Sequence, residues 1–206
     1  NFNSACASVT ITVNQQSANP TSATASASTI CNGQNTILTL NGGGGGTGET
    51  IQWYTGSCGG TPAGSGNNLS VSPTSTTTYY GRYEDGAPCS FNSACAQVTI
   101  TVNQKSANPT SATASSTTIC NGQSTILTLV GGGGGNGEVI KWYSTSCGVG
   151  LVGSGNNLSV SPTSTTTYYG RYENGAPCNF ATACKSVTII VNARPTANIN
   201  SPDISI

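Results

Sequence analysis

The sequence predicts an all-β protein made of tandem two-sheet Greek-key sandwiches with about seven strands each. Apolar and polar residues alternate with a period of two between clusters of Gly, Pro and Asn, and no stretch shows a convincing helical period. The same pattern returns after 89 residues, which indicates a repeat architecture. About seven short strands in just under 90 residues favour two packed sheets.

The cysteines define the repeat. Cys6, Cys95 and Cys184 follow one another at intervals of 89 residues. The other six cysteines obey the same shift: Cys31 and Cys120, Cys58 and Cys147, Cys89 and Cys178. Aligning 17–105 with 106–194 gives 22 differences in 89 positions, so the two copies are nearly the same molecule.

The phase of the repeat predicts the domain boundaries. We expect two complete domains, 17–105 and 106–194. Residues 1–16 match the end of a copy and are predicted to be the last strand of a preceding repeat. Residues 195–206 are predicted to be the first strand of a following repeat, so the chain is interpreted as a window of a longer one.

The first half of the unit gives three predicted strands. After the linker 17–20, a weak strand covers 21–30 and ends at an Asn-Gly turn, a favoured tight-turn pair. The second strand covers 36–40, with Leu38 and Leu40 facing inward. A glycine run, 42–46, is predicted to be a flexible loop because five glycines oppose regular structure. The third strand covers 51–54, with Ile51 and Trp53 on one face.

The second half begins with a polar, Gly-rich crossing over 58–66, followed by a short strand over 69–71 that Pro73 ends. The longest predicted strand covers 76–84. It places Tyr79, Gly81 and Tyr83 on one face and Tyr80, Arg82 and Glu84 on the other. In the last strand Val98, Ile100 and Val102 alternate with polar residues.

Charge is scarce in this sequence. Six Lys+Arg and six Asp+Glu make 6% of 206 residues, against about 25% in an average soluble protein. A net charge of zero argues against nucleic acid as a partner. No apolar run approaches 18 residues, so membrane insertion is not expected.

The nine cysteines predict disulfides and an extracellular, oxidising location, because no C-x-x-C spacing suggests metal binding. In a sandwich, Cys31 and Cys58 share one end, and Cys89 and Cys95 share the other. Those placements predict the pairs Cys31–Cys58 and Cys89–Cys95, and one repeat later Cys120–Cys147 and Cys178–Cys184. Cys6 is expected to pair with a residue outside this sequence.

Five motifs give the chain a family resemblance. They are the Ile-Cys-Asn-Gly-Gln opening at 30–34, the glycine run at 42–46, Trp53-Tyr54, the Thr-rich segment 72–79, and the closing strand 98–102. Together they resemble the immunoglobulin-like repeats of large surface and secreted proteins of gliding Bacteroidota. The resemblance implies an immunoglobulin-like sandwich, export by the type IX system, and use as a stalk, spacer, adhesin arm or filament body.

Catalytic, metal and cofactor sites are not expected. The chain has no histidine, and only two carboxylates recur between the copies, Glu49 with Glu138 and Glu84 with Glu173. A glycosidase-like pair would need both carboxylates to face one cleft. The glycine run lacks the lysine and the helix of a phosphate-binding loop.

The candidate contact surface is the outward face of the longest strand, with Tyr80 and Arg82 in one copy and Tyr169 and Arg171 in the other. Tyr and Arg are enriched at interfaces, and an aromatic pair can stack on a sugar ring. The alternative interpretation is that these side chains simply cover the sheet.

The leading functional hypothesis is a structural repeat region of an extracellular fibre or giant cell-surface adhesin. Its expected partners are neighbouring repeats and identical chains arranged laterally or in a filament. The alternatives are a glycan- or cell-binding module acting by avidity, and spacer domains of a secreted enzyme. Residues 1–14 are expected either to complete their own chain or to be donated to a neighbouring subunit.

Overall fold

The computed structural model describes residues 3–194, and the chain divides into two compact units, 1–103 and 104–206. The described residues form β-structure, turns and irregular segments, which confirms the all-β prediction. No helix among them could span a membrane.

The described part of unit 1 forms eight strands in two sheets. The smaller sheet has the order β1-β3-β6 and the larger has the order β2-β8-β7-β4-β5. The strands are β1 Ser22–Ala25, β2 Thr29–Cys31, β3 Thr36–Asn41, β4 Glu49–Thr55, β5 Thr61–Ser65, β6 Leu69–Val71, β7 Thr77–Asp85 and β8 Ala96–Asn103.

Unit 2 repeats this plan. Its smaller sheet has the order β14-β11-β9, and its larger sheet has the order β10-β17-β15-β12-β13 with β16 beside β15. The strands are β9 Ser111–Ala114, β10 Thr118–Cys120, β11 Thr125–Val130, β12 Glu138–Ser146, β13 Val149–Ser154, β14 Leu158–Val160, β15 Thr166–Asn174, β16 Phe180–Ala181 and β17 Lys185–Asn192.

The first strand of the unit differs from its prediction. The sequence predicted one strand over 21–30, but the structure divides this region into β1, antiparallel to β3, and β2, parallel to β8. Ser26 marks the switch between sheets: its N–H donates to the Ile37 carbonyl, and its hydroxyl accepts the Ile37 N–H. The chain therefore leaves one sheet and joins the other without a long loop.

Part of the predicted crossing over 58–66 is also a strand, β5, which pairs with β4 in a hairpin. Its sequence, Thr-Pro-Ala-Gly-Ser, carries no alternation of apolar and polar residues, and Pro and Gly disfavour strands. Its position at the sheet edge explains why this composition is tolerated.

The core of unit 1 lies between the two sheets. Trp53 is fully buried beside Leu38, Leu40 and Ile100, and its indole N–H donates to the Gly66 carbonyl at 3.1 Å. Residue 81 on β7 must be glycine, because a Cβ there would lie 2.8 Å from the Trp53 ring. The predicted inward residues Leu38, Leu40, Tyr79 and Tyr83 are confirmed as buried.

The segment predicted to be a linker, 17–20, is part of the folded unit. Ala18 and Gly44 exchange two backbone hydrogen bonds, and the Asn19 amide oxygen accepts the Ala94 N–H. A Cβ at Gly43 would lie 2.3 Å from the Asn19 carbonyl oxygen, so the glycine run fits closely around this segment. The run predicted to be a flexible loop thus forms a docking surface for the start of its own unit.

Residues 3–16 form no strand in this structure. Their assignment to a preceding repeat stays a prediction, as does the role proposed for residues 1–14. The predicted strand over 195–206 lies outside the described residues.

Candidate contact surface

A polar cluster lies on the outer face of the larger sheet of unit 1. It joins Tyr54 of β4 to Arg82 and Glu84 of β7. The Arg82 guanidinium donates to a Glu84 carboxylate oxygen through Nε at 2.7 Å and Nη2 at 2.6 Å. Its Cζ lies 4.9 Å from the centre of the Tyr54 ring, and the Tyr54 hydroxyl donates to the same carboxylate.

The hydrogen bonds of this cluster set its protonation. Partial burial opposes ionisation of Glu84, but the hydrogen bonds from Tyr54 and Arg82 outweigh it and hold the pKa of Glu84 below its usual value. Burial, followed by the hydrogen bond to Glu84, raises the pKa of Tyr54. The cluster therefore contains a carboxylate, a guanidinium and a neutral phenol that satisfy one another at neutral pH.

The turn between β4 and β5 covers this cluster. Its Gly59 lies against the Arg82 guanidinium, where an added Cβ would be 2.9 Å from Nη1. Only 17% of the Arg82 side-chain surface is exposed to solvent. Tyr80 and Arg82 do share the outer face, as predicted, but Arg82 is occupied by contacts within its own unit.

The disulfide that fixes this turn corrects the predicted pairing. Cys58 bonds to Cys95, with the two Cα atoms 5.8 Å apart. Ala96 lies opposite Gly81, so Cys95 lies at the level of Arg82, and the turn folds over the sheet to reach it. The prediction assumed that the turn stays at the rim of the sandwich, and for that reason the pairs Cys31–Cys58 and Cys89–Cys95 were wrong.

Unit 2 shows the same correction, because Cys147 bonds to Cys184 with a Cα separation of 5.8 Å. The predicted pairs Cys120–Cys147 and Cys178–Cys184 were therefore wrong. The free cysteines among the described residues are Cys6, Cys89 and Cys120.

Unit 2 carries an equivalent polar cluster with one additional charge. Arg171 donates to Glu173 at 2.8 Å and stacks over Tyr143 at 5.1 Å. Lys141, which replaces Gln52 of unit 1, adds an ion pair to Glu173 at 2.7 Å. Tyr169 takes the place of Tyr80 on the same strand.

Three basic or phenolic donors surround one carboxylate in unit 2. Burial acts against ionisation of Glu173, but the hydrogen bonds from Lys141, Tyr143 and Arg171 lower its pKa to about 2.

This low pKa predicts acid sensitivity. We expect unit 2 to lose stability as the pH falls from about 4.5 to about 2. The unfolded chain binds a proton at Glu173 near pH 4.5, whereas the folded unit binds it only near pH 2. The ionised cluster therefore stabilises the folded unit fully above pH 4.5 and loses this contribution below it. Urea unfolding midpoints measured between pH 5 and pH 2 test this expectation.

The matched variants are Glu173→Gln and Glu84→Gln. Glu173→Gln should remove part of the acid-induced loss, and Glu84→Gln should remove less, because Gln52 stands where unit 2 has Lys141. If the urea midpoints of the wild type and of Glu173→Gln depend on pH in the same way, Glu173 is not the source of the acid-induced loss.

The second recurring carboxylate belongs to a different cluster. Glu49 accepts the Ser17 hydroxyl at 2.8 Å and the Gly46 N–H at 3.0 Å. Asp85 accepts the Ser17 N–H at 2.8 Å and also contacts the Ser17 hydroxyl. Glu49 therefore faces the end of the core and Glu84 the outer surface, so the two do not flank one cleft as a glycosidase pair would.

The Asp85 contact gives a second prediction. Asp85→Ala should destabilise unit 1 by about 1–3 kcal/mol, because the buried Ser17 N–H loses its acceptor. Asp85→Asn should be nearly neutral, since Asn174 of unit 2 accepts the equivalent Ser106 N–H at 3.0 Å. Thermal unfolding of the two variants provides the measurement, and equal losses would contradict this role.

Other candidate sites offer little chemistry. A groove of about 400 Å³ in unit 1 is lined by Glu49, Thr50, Ile51, Gln52, Ser65 and Gly66. Its one carboxylate is already engaged by Ser17 and Gly46. Within residues 3–194, no group of three or more Cys, Asp or Glu side chains is placed to hold a metal ion.

Solved structures with similar folds share little sequence identity with this chain. A marsupial T cell receptor matches with a TM-score of 0.53 and 13% identity, covering 88% of this chain and 75% of that chain. A chain from the complex of the mouse coronavirus receptor-binding domain with its murine receptor matches with a TM-score of 0.50 and 15% identity, covering 82% and 100%. At this identity the likeness concerns the fold alone.

Sequence comparison is more specific. The model of the family described as "Ig-like domain CHU_C associated" matches twice, over residues 18–103 and 107–193. No curated protein matches the sequence significantly.

Proposed function

The chain belongs to the family of CHU_C-associated Ig-like domains, and we propose that it is a structural repeat region of an extracellular fibre or giant cell-surface adhesin. The observation that carries this proposal is that each unit forms its own pair of sheets. Unit 1 and unit 2 each have their own tryptophan core, their own disulfide and their own polar cluster. Modules of this kind can be strung in series, because each buries its own core.

The setting of the fibre is part of the proposal. Disulfides within Ig-like domains are typical of an oxidising extracellular environment. The motifs at 30–34 and 72–79 resemble repeats of gliding Bacteroidota, and we extend the proposal to a surface protein of such a bacterium that is exported by the type IX system.

The outer-face cluster favours a structural role over glycan binding. A sugar-binding face presents aromatic and polar groups to the ligand, whereas Arg82 and Glu84 bind each other and lie under the β4–β5 turn. The same arrangement in Arg171 and Glu173 indicates that these groups stabilise each unit.

Electron cryomicroscopy of native, unreduced material tests the proposal. We expect beads of this fold to follow one another along filaments at regular intervals. Isolated molecules with no axial order would overturn the proposal of a fibre. In that case retention of the chain on a polysaccharide column would support a binding module, and a catalytic domain in the same polypeptide would support a spacer.

A further inference from the structure

Each unit carries two cysteines that its own internal disulfide does not use. In unit 1 these are Cys31, at the end of β2, and Cys89, in the turn between β7 and β8. Cys31 pairs in register with Asn103, the last residue of β8. Cys89 lies in a turn closed by a hydrogen bond from the Ser90 N–H to the Gly86 carbonyl at 3.0 Å.

These two cysteines lie at opposite ends of the unit. Thr77, the first residue of β7, pairs with Ile100, near the end of β8 that holds Cys31, and Cys89 follows the last residue of β7. The first and last Cα atoms of the nine-residue strand β7 lie about 26 Å apart, at about 3.3 Å per residue. A disulfide requires Cα atoms about 4.4–6.8 Å apart, so the two ends of a unit cannot be joined to each other.

Each of these two positions in the repeat is a free thiol in one unit and a disulfide-bonded cysteine in the other. Cys89 is partly exposed, Cys120 is exposed, and both are free. Their counterparts one repeat away, Cys178 and Cys31, are both disulfide-bonded. The positions are therefore suited to oxidation in a folded unit, and two of the four retain a free thiol.

We propose that Cys120 of one copy of this chain forms a disulfide with Cys89 of a second copy, so that copies are cross-linked in series. This inference rests on the proposed function and names the partner of the array as another copy of the same repeat. The two thiols belong to different units of the chain, so the contact is heterologous, and a cross-linked pair of copies keeps one Cys89 thiol and one Cys120 thiol. Such a contact extends into a filament instead of closing as a dimer.

The oxidant is a low-molecular-weight disulfide, such as glutathione disulfide. The Cys120 thiolate attacks one of its sulfur atoms, forming a mixed disulfide and releasing one small thiolate. The Cys89 thiolate of the second copy then attacks the Cys120 sulfur and releases the second small thiolate. Two protein thiols lose two electrons and two protons, and one small disulfide is reduced to two thiols.

The test uses the whole chain with Cys6→Ser, which removes the third free thiol, in a glutathione redox buffer. Non-reducing electrophoresis should show a ladder at multiples of 20.6 kDa that collapses on reduction. Adding Cys89→Ser or Cys120→Ser to this background should each abolish the ladder and leave monomer. An equimolar mixture of those two variants should give dimer and nothing larger, because only one productive thiol pair remains.

Mass spectrometry of that dimer should identify a peptide linking Cys120 to Cys89. A homodimer of the Cys89→Ser variant, a ladder that persists in either variant, or a chain that stays monomeric under oxidation would overturn the proposal. Circular dichroism spectra that match the wild-type spectrum establish that both variants are folded. If the chain stays monomeric in the redox assay but native filaments show ordered beads, the cross-link is rejected and the proposed fibre stands. If a ladder forms but native material shows no filaments, the proposed fibre is rejected.

Discussion

Replacing Trp53 with alanine is expected to destabilise unit 1 by about 3–5 kcal/mol, the usual cost of removing a buried aromatic side chain. Trp53 is fully buried between the sheets, so its removal leaves a cavity beside Leu38, Leu40 and Ile100. The Gly66 carbonyl also loses its indole donor. The expected loss is a large part of the stability of a domain of this size, about 5–15 kcal/mol.

The chain provides its own reporter for this experiment, because it contains two tryptophans, one in each unit. In the Trp53→Ala variant, fluorescence reports unit 2 alone and should keep its wild-type urea midpoint. Circular dichroism should show an additional transition at lower urea. Ile37→Ala, at a half-exposed position on the smaller sheet, is the matched control and should change stability by no more than about 0.5 kcal/mol.

A loss below about 1 kcal/mol in Trp53→Ala would contradict the core assignment. Trp142→Ala should reproduce the effect in unit 2, where the indole N–H donates to the Gly155 carbonyl at 3.2 Å.

Removal of the Cys58–Cys95 disulfide is expected to cost about 4 kcal/mol. The bond closes a loop with a sequence separation of 37, and cross-linking such a loop removes conformational entropy from the unfolded chain. It also holds Gly59 against Arg82, so the double variant Cys58→Ser/Cys95→Ser should expose the outer-face cluster. Urea unfolding with and without reductant measures the effect, and reductant should change the wild type but not unit 1 of the variant.

Peptide mapping of the unreduced protein decides the pairing directly. The structure requires a peptide joining Cys58 to Cys95 and another joining Cys147 to Cys184. A bond from Cys58 to Cys31 would reject the structure-based pairing. The double variant Cys147→Ser/Cys184→Ser in unit 2 is the matched control, with an expected loss of similar size.

Local patterns predicted most of the strands in this fold. Alternation in β7 placed Tyr79 and Tyr83 inward and Arg82 and Glu84 outward, because successive side chains of a strand point to opposite faces. Alternation likewise placed Ile51 and Trp53 on one face of the third strand. These features depend only on residues within one strand.

Features that depend on how one segment folds over another could not be predicted in this way. The path of the β4–β5 turn decides the disulfide, and nothing in its Gly-rich sequence indicates that it crosses the sheet. The contact of Tyr54 with Glu84 joins residues 30 positions apart and was missed. The available signal was the pairing of the third predicted strand with the longest one, which brings Tyr54 opposite Tyr80 and beside Arg82.

The parallel pairing of β2 with β8 has a mechanical consequence. The two strands lie near opposite ends of the sequence of unit 1, and they run side by side over three register positions, from Thr29 with Thr101 to Cys31 with Asn103. A tensile force applied at the two ends of the unit pulls these strands along their axes in opposite directions. Their hydrogen bonds are then loaded simultaneously, whereas in an antiparallel hairpin pulled from its open end they would break one at a time.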